Sequence, residues 1–164
     1  MSKSVAEIRN IGTCRVNLGG VDLGYTQGGV TVTITTEWHD VMVDEFGVVP
    51  VTSRDKGTNI EVVVPLVQTS IANYEKAFPT ATRSPNDRLT FGRKVGTEIT
   101  KERLVLDPIN ESDGVVVYQA GCISVDELGK NNEGVPILNC HFKGYIDTER
   151  ADGDRVFRIF GGMS

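Results

Sequence analysis

The sequence predicts a mainly β chain with a single short helix, and three observations carry that expectation. Residues 30–38 and 60–66 alternate apolar and polar side chains with a period of two, the signature of half-buried strands. The chain holds 18 Gly against 6 Pro and is 39% apolar, a balance that favours strands, turns and loops over helices. Only residues 69–78 combine helical spacing with a start and a stop signal.

Residues 1–7 are small and polar and begin an arm read over 1–10. Residues 13–18 read as a strand with Cys14, Val16 and Leu18 on one side. Gly19, Gly20, Gly24, Gly28 and Gly29 then punctuate a segment that must turn tightly or admit a close neighbour. The first long strand places Val30, Val32, Ile34 and Trp38 on a dry face, with Trp38 read as a core anchor and, second to that, as a residue at a subunit interface. Its apolar phase moves to odd positions at Val41 and Val43, which implies a bulge near His39 and Asp40 or the end of pairing there.

Residues 44–57 read as a long projecting loop. It carries Phe46, Val48, Val49 and Val51, more apolar residues than a solvated loop holds, so it is expected to pack on this chain or a neighbour. In 69–78, Thr69 or Ser70 caps the helix and Pro79 stops it, with Ile71, Tyr74 and Phe78 on one face. A helix this short must pack on a sheet to persist. Residues 89–106 read as short charged strands or a hairpin around Gly96. Strands at 115–125 and 135–148 flank a Gly/Asn loop at 127–134, and 155–160 is a last strand after an Asp152-Gly153-Asp154 turn. With 164 residues, no fixed-period repeat and no linker, the chain is read as one domain, 1–164.

The formal net charge is −5, so the surface as a whole repels nucleic acid, and there is no basic stripe with interleaved aromatics. No stretch approaches the roughly 18 apolar residues of a membrane span, and the first ten residues lack a signal peptide's apolar run. Cys14, Cys122 and Cys140 each fall in a strand pattern and read as small buried hydrophobes in a reducing compartment. Phosphate-loop, nucleophile-elbow and zinc-protease patterns are missing, and only His39 and His141 are available for acid–base or metal chemistry. Cys140 and His141 are adjacent, so on a strand they face opposite ways. The expectation is a protein that is not an enzyme, with no cofactor and no metal.

Residues 28–79 resemble the major tail tube proteins of long, non-contractile-tailed phages. The resemblance rests on the threonine/valine strand, Glu37-Trp38-His39-Asp40-Val41, the Val43–51 loop with its V-D-x-x-G-x-x-P-V pattern, Lys56-Gly57, Pro65-Leu66 and Ala77-Phe78-Pro79. It implies an antiparallel β-sandwich or half-barrel with one short flanking α-helix, a long loop and terminal arms. It implies further that six copies form a ring and that rings stack into a virion tail tube, assembled in the host cytoplasm, through which DNA is delivered. Tape-measure, tail-terminator and distal tail proteins are the other expected partners, with no membrane partner and no specific DNA binding. The inter-ring and inter-subunit contacts are expected at Asp44, Glu45, Phe46, Val48, Val49, Pro50, Arg54, Asp55 and Lys56.

A conduit must not hold its cargo, because a lysine-rich wall would bind phosphate with favourable counterion release. Thr31, Thr33, Thr35, Glu37, Asn59 and Glu61 include no Lys or Arg and are expected to line the lumen as an acidic-polar face. If each of six copies gives four strands, as the resemblance implies, they close a barrel roughly 35–45 Å across at the backbone. Two other readings compete: the inner tube of a contractile tail or injection machine, and a monomeric β-sandwich binding module. The binding module predicts an exposed aromatic platform, which a chain with 7% aromatics, most at alternating strand positions or on the helix face, does not display.

Overall fold

A computed structural model describes the chain apart from residues 1, 13, 25, 27, 28, 68–73, 76, 77, 79, 87, 110–112, 131–135 and 161–164; for residues 2–12, 126–130 and 136 the backbone alone is described. The strands are β1 (Ser2–Gly12), β2 (Cys14–Leu18), β3 (Val21–Asp22), β4 (Val30–Val41), β5 (Thr52–Leu66), β6 (Thr82–Ser84), β7 (Arg88–Thr90), β8 (Glu102–Pro108), β9 (Gly114–Lys130), β10 (Pro136–Tyr145) and β11 (Phe157–Phe160). Nine form one antiparallel sheet in the order β1-β4-β5-β10-β9-β8-β2-β3, with β11 also on β9, while β6 and β7 make a small separate hairpin.

The two alternating stretches pair as expected. Val32 lies opposite Val62 and Ile34 opposite Ile60, so their dry faces coincide. Cys14, Val16 and Leu18 are buried on β2, which pairs with β8 through Val16 and Leu106. A single residue separates β1 from β2, yet β1 stands at one end of the strand order and β2 next to the other. Two peptide steps span at most about 7 Å, so the sheet must curl until its ends approach. That corner makes a half-barrel of one sheet, closed round a single core. Val30, Val32, Ile60, Val62, Val64, Leu66, Leu104, Leu106, Leu138 and Phe142 fill it and are fully buried. Gly144 permits the tight packing: a Cβ there would sit 2.4 Å from Ile60 Cγ2.

Several elements differ from expectation. The segment expected as an amino-terminal arm pairs with β4 from Ser2 opposite His39 to Gly12 opposite Val30. Ladder hydrogen bonds to β4 take up the backbone groups on that side, and an edge strand needs no strict apolar alternation to make them. The bulge falls not at His39 and Asp40 but on the partner strand: Glu37 faces Gly57 and Trp38 faces Asp55, which leaves Lys56 extra. The even phase of β4 continues to Asp40, which is buried and accepts a 2.6 Å hydrogen bond from Ser53 Oγ. Trp38 is half-buried, in the part of β4 beyond the main core, and does not anchor it. The loop expected at 127–134 gives way to strand as far as Lys130.

The expected helix at 69–78 lies mostly outside the described residues. Tyr74 and Glu75 are helical, and Phe78 N donates to Tyr74 O at 2.8 Å, the spacing of an α-helical turn. Phe78 and the partly buried Tyr74 pack against the core, as a helix on a sheet should.

Beyond β10 the chain makes an excursion and returns to the same edge of β9 as β11, with Phe157 opposite Val117. The Asp152-Gly153-Asp154 turn, with Gly153 at φ +85°, sets Asp154 as the hub of this excursion. Tyr118 Oη donates to Asp154 Oδ1 at 2.5 Å, and Arg150 and Arg158 reach Oδ2 at 2.9 and 2.6 Å. The Arg150 guanidinium also stacks 3.7 Å above the Tyr118 ring. The Tyr118 hydroxyl and then the two arginines hold the Asp154 carboxyl well below the ordinary carboxylate range. A depressed carboxylate adds stability above its unfolded value and loses it as pH falls toward the folded one. Removing Tyr118 Oη by Tyr118→Phe raises the folded value, so acid unfolding followed by circular dichroism should begin at higher pH than in the parent.

Candidate functional site

The end of the β4–β5 hairpin runs past β10 on the β5 side, while on the other side β1 stays paired with β4 as far as His39. Among the described residues, β10 pairs with β5 only from Glu61 to Leu66, which leaves that edge of β5 unpaired from Thr52 to Ile60. The free edge is roughly 25–30 Å long at the usual rise per residue. An open edge is a template for another chain, and this one is guarded by Arg54, Asp55, Lys56 and the bulge. Gly57 supplies the bulge's φ of +132°, and its N–H donates to Asp55 Oδ1 at 2.7 Å.

Pairing persists to Val41 opposite Thr52, so the loop proper shortens from the expected 44–57 to 42–51. Val51 N donates to Val41 O at 3.0 Å and closes it. Asp44–Phe46 form a 3-10 turn ended by Gly47 at φ +63°. Phe46, Val48 and Val49 are 60%, 86% and 62% exposed, and Met42, Val43 and Val51 are exposed beside them. The tip is therefore an apolar knob that carries two carboxylates, Asp44 and Glu45, and no cation. Of the nine residues expected at subunit contacts, Asp44, Glu45, Phe46, Val48, Val49 and Pro50 gather on this tip. Arg54, Asp55 and Lys56 sit lower, on the strand, opposite His39 and Trp38 or at the bulge.

The six residues expected to line a lumen do share one face. Thr33 lies opposite Glu61 and Thr35 opposite Asn59, with Thr31 and Glu37 in line along β4. Two features change the face from acidic to balanced. On β10, Lys143 lies opposite Glu61, and His141 Nδ1 is 3.4 Å from Glu61 Oε1. The bulge at Lys56 then switches the phase of β5, so Arg54 pairs with His39 and joins the same face. Glu37 and Glu61 are thus matched by Lys143 and Arg54. A groove of about 280 Å³ runs here, lined by Thr33, Thr35, Asn59, Glu61, Ile123 and Lys143 among others.

Sequence reasoning missed Lys143, His141 and Ile123. The outward phase of the first two follows from buried Cys140 and Phe142, but placing them beside Glu61 needs the order of strands. Ile123 is the extra residue where β9 shifts register between Ser124 and Cys122.

All three cysteines are buried and free of disulfides. Burial, with Asp107 nearby, pushes the Cys14 thiol up to about 11. The hydrogen-bonded Cys122 thiol, together with burial, pushes Cys140 up further. Both are thiols at neutral pH and poor nucleophiles. Among the described residues no cluster of His, Cys, Asp and Glu has the arrangement to hold a metal ion, and no helix is long and apolar enough to cross a membrane.

A scan against protein-family models finds no match to this chain, and no curated protein matches it.

Proposed function

We propose that this chain is a structural, self-assembling virion protein, the subunit of a tail tube of the long, non-contractile phage type. Hexameric rings would stack into the conduit for DNA delivery, assembled in the host cytoplasm and ending in the virion tail. One observation carries the reading: a hairpin that extends past β10 presents an unpaired edge of β5 and an apolar, acidic tip. A lone domain gains nothing from six exposed apolar side chains on such a projection, whereas an assembling one buries them. The sequence resemblance to tail tube proteins covers this same hairpin.

The threonine face is proposed as the lumen wall. Its hydroxyls and amide have no charge to hold a phosphate, and each cation has a carboxylate on the same face. Passing DNA therefore meets a near-neutral wall and releases few counterions on contact. Tape-measure, tail-terminator and distal tail proteins are the remaining partners of this proposal.

Negative-stain electron microscopy of the concentrated protein tests the reading. Stacked rings or tubes with a central bore are the expected result. A particle that stays a single copy at every concentration would overturn it.

A further inference from the structure

The tip needs a receiving surface, and the chain carries one with matching chemistry. Residues 88–103 hold five cations (Arg88, Arg93, Lys94, Lys101 and Arg103) against two carboxylates (Glu98 and Glu102), in a chain whose formal net charge is −5. Lys101 Nζ is 2.8 Å from Glu98 Oε1, so one carboxylate is already taken up locally. Lys94 O accepts from both the N–H and the hydroxyl of Thr97, and Gly96 at φ +93° completes a firm turn. Val95 at its apex is 98% exposed and Phe91 is 61% exposed, with Arg93 and Lys94 between them. Beside the turn lies a pocket of about 400 Å³, lined by Leu18, Ala81, Ala120 and Cys122 together with Glu75, Arg93, Thr100 and Glu102.

We infer that the hairpin tip of one copy docks on the Phe91–Val95 turn and its pocket in a second copy. The apolar residues Phe46, Val48 and Val49 then meet Phe91, Val95 and the pocket, and Asp44 and Glu45 meet Arg93 and Lys94. This inference rests on the self-assembly proposed above and names the surface that receives the tip. The contact cannot form within one copy. The pocket residue Cys122 lies level with Val62 through Phe142, ten residues along β5 from the base of the loop, roughly 33 Å away. Because tip and turn are different surfaces, the contact is head-to-tail and propagates, as a stacked assembly requires.

Charge reversal on each side tests it. Asp44→Lys/Glu45→Lys and Arg93→Glu/Lys94→Glu all fall at exposed positions, and circular dichroism should show both variants folded like the parent. Each variant alone should need at least about 100-fold more protein to assemble than the parent, because like charges face each other. Mixed one to one, they should assemble near the parent concentration as an alternating polymer, read by sedimentation and electron microscopy. Complexes of only two copies in the mixture would mean that tips pair with tips, and would overturn the inference. A parent that assembles while the turn-reversed variant also assembles, or while the mixture does not, places the receiving surface elsewhere and leaves the self-assembly reading standing. A parent that never associates removes both.

Discussion

Replacing Phe46, Val48 and Val49 together by serine should leave the subunit as stable as the parent while removing its ability to assemble. All three side chains are mostly exposed, so the folded single copy loses almost no buried apolar surface when they are truncated. Surface changes of this kind usually stay within about 0.5 kcal/mol of the parent. Association is different. Fully burying such a side chain contributes about 1.5–3 kcal/mol, and a little over 1 kcal/mol from each still sums to about 4 kcal/mol per contact. That corresponds to roughly a thousandfold in the association constant of every contact along the proposed tube. Thermal unfolding and sedimentation on one sample separate the two effects. An unchanged melting temperature with persistent tubes would show that the knob is not a contact surface. A collapsed melting temperature would show that the tip packs on its own body.

Much of this fold can be read from local pattern, and what cannot is non-local. Val30, Val32, Ile60, Val62, Val64 and Leu66 announce a dry hairpin because each strand buries one face, and period two then records which residue goes where. Cys14, Val16 and Leu18 announce β2 for the same reason. The strand Ser2–Gly12 leaves no such record, since its place follows from the open edge of β4 rather than from its own side chains. The apolar shift at Val41 and Val43 was a true signal with a different source. Val41 ends β4 opposite Thr52 and Val43 belongs to the exposed tip, while the bulge arises across the ladder at Lys56. Asp40 hides the persisting phase because a carboxylate occupies an inward position, held by Ser53.

The threonine face makes the same point about the candidate site. Its six residues come from two neighbouring strands, and their alternation assigns them to one side. Lys143 comes from a strand some eighty residues later, and nothing near it in sequence says that it will stand opposite Glu61. Reading charge from one hairpin therefore gave an acidic face, whereas the third strand and the bulge balance it. Trp38 shows the reverse: it has the inward phase, but the sheet has already left the core where it sits.

Phe142→Ala should cost about 3–5 kcal/mol, the range for deleting a large aromatic from a packed core. Phe142 is 1% exposed and sits in register with both Val62 on β5 and Cys122 on β9, so the cavity opens between three strands at once. Neighbours cannot easily close it, because Gly144 has already let Ile60 approach the β10 backbone as nearly as packing allows. For a domain of this size, melting should fall by about 6–20 °C, a large share of ordinary stability. Phe142→Leu should recover most of it, as it leaves a smaller hole. The same strand carries His141 and Lys143 outward, and the register of β10 on β5 sets both beside Glu61 on the threonine face. Loosening Phe142 should therefore raise amide hydrogen exchange along Glu61–Leu66 before it does so at the tip, whose hydrogen bonds are local. If exchange rose first at the tip instead, the core under β10 would not be what holds the polar face in place.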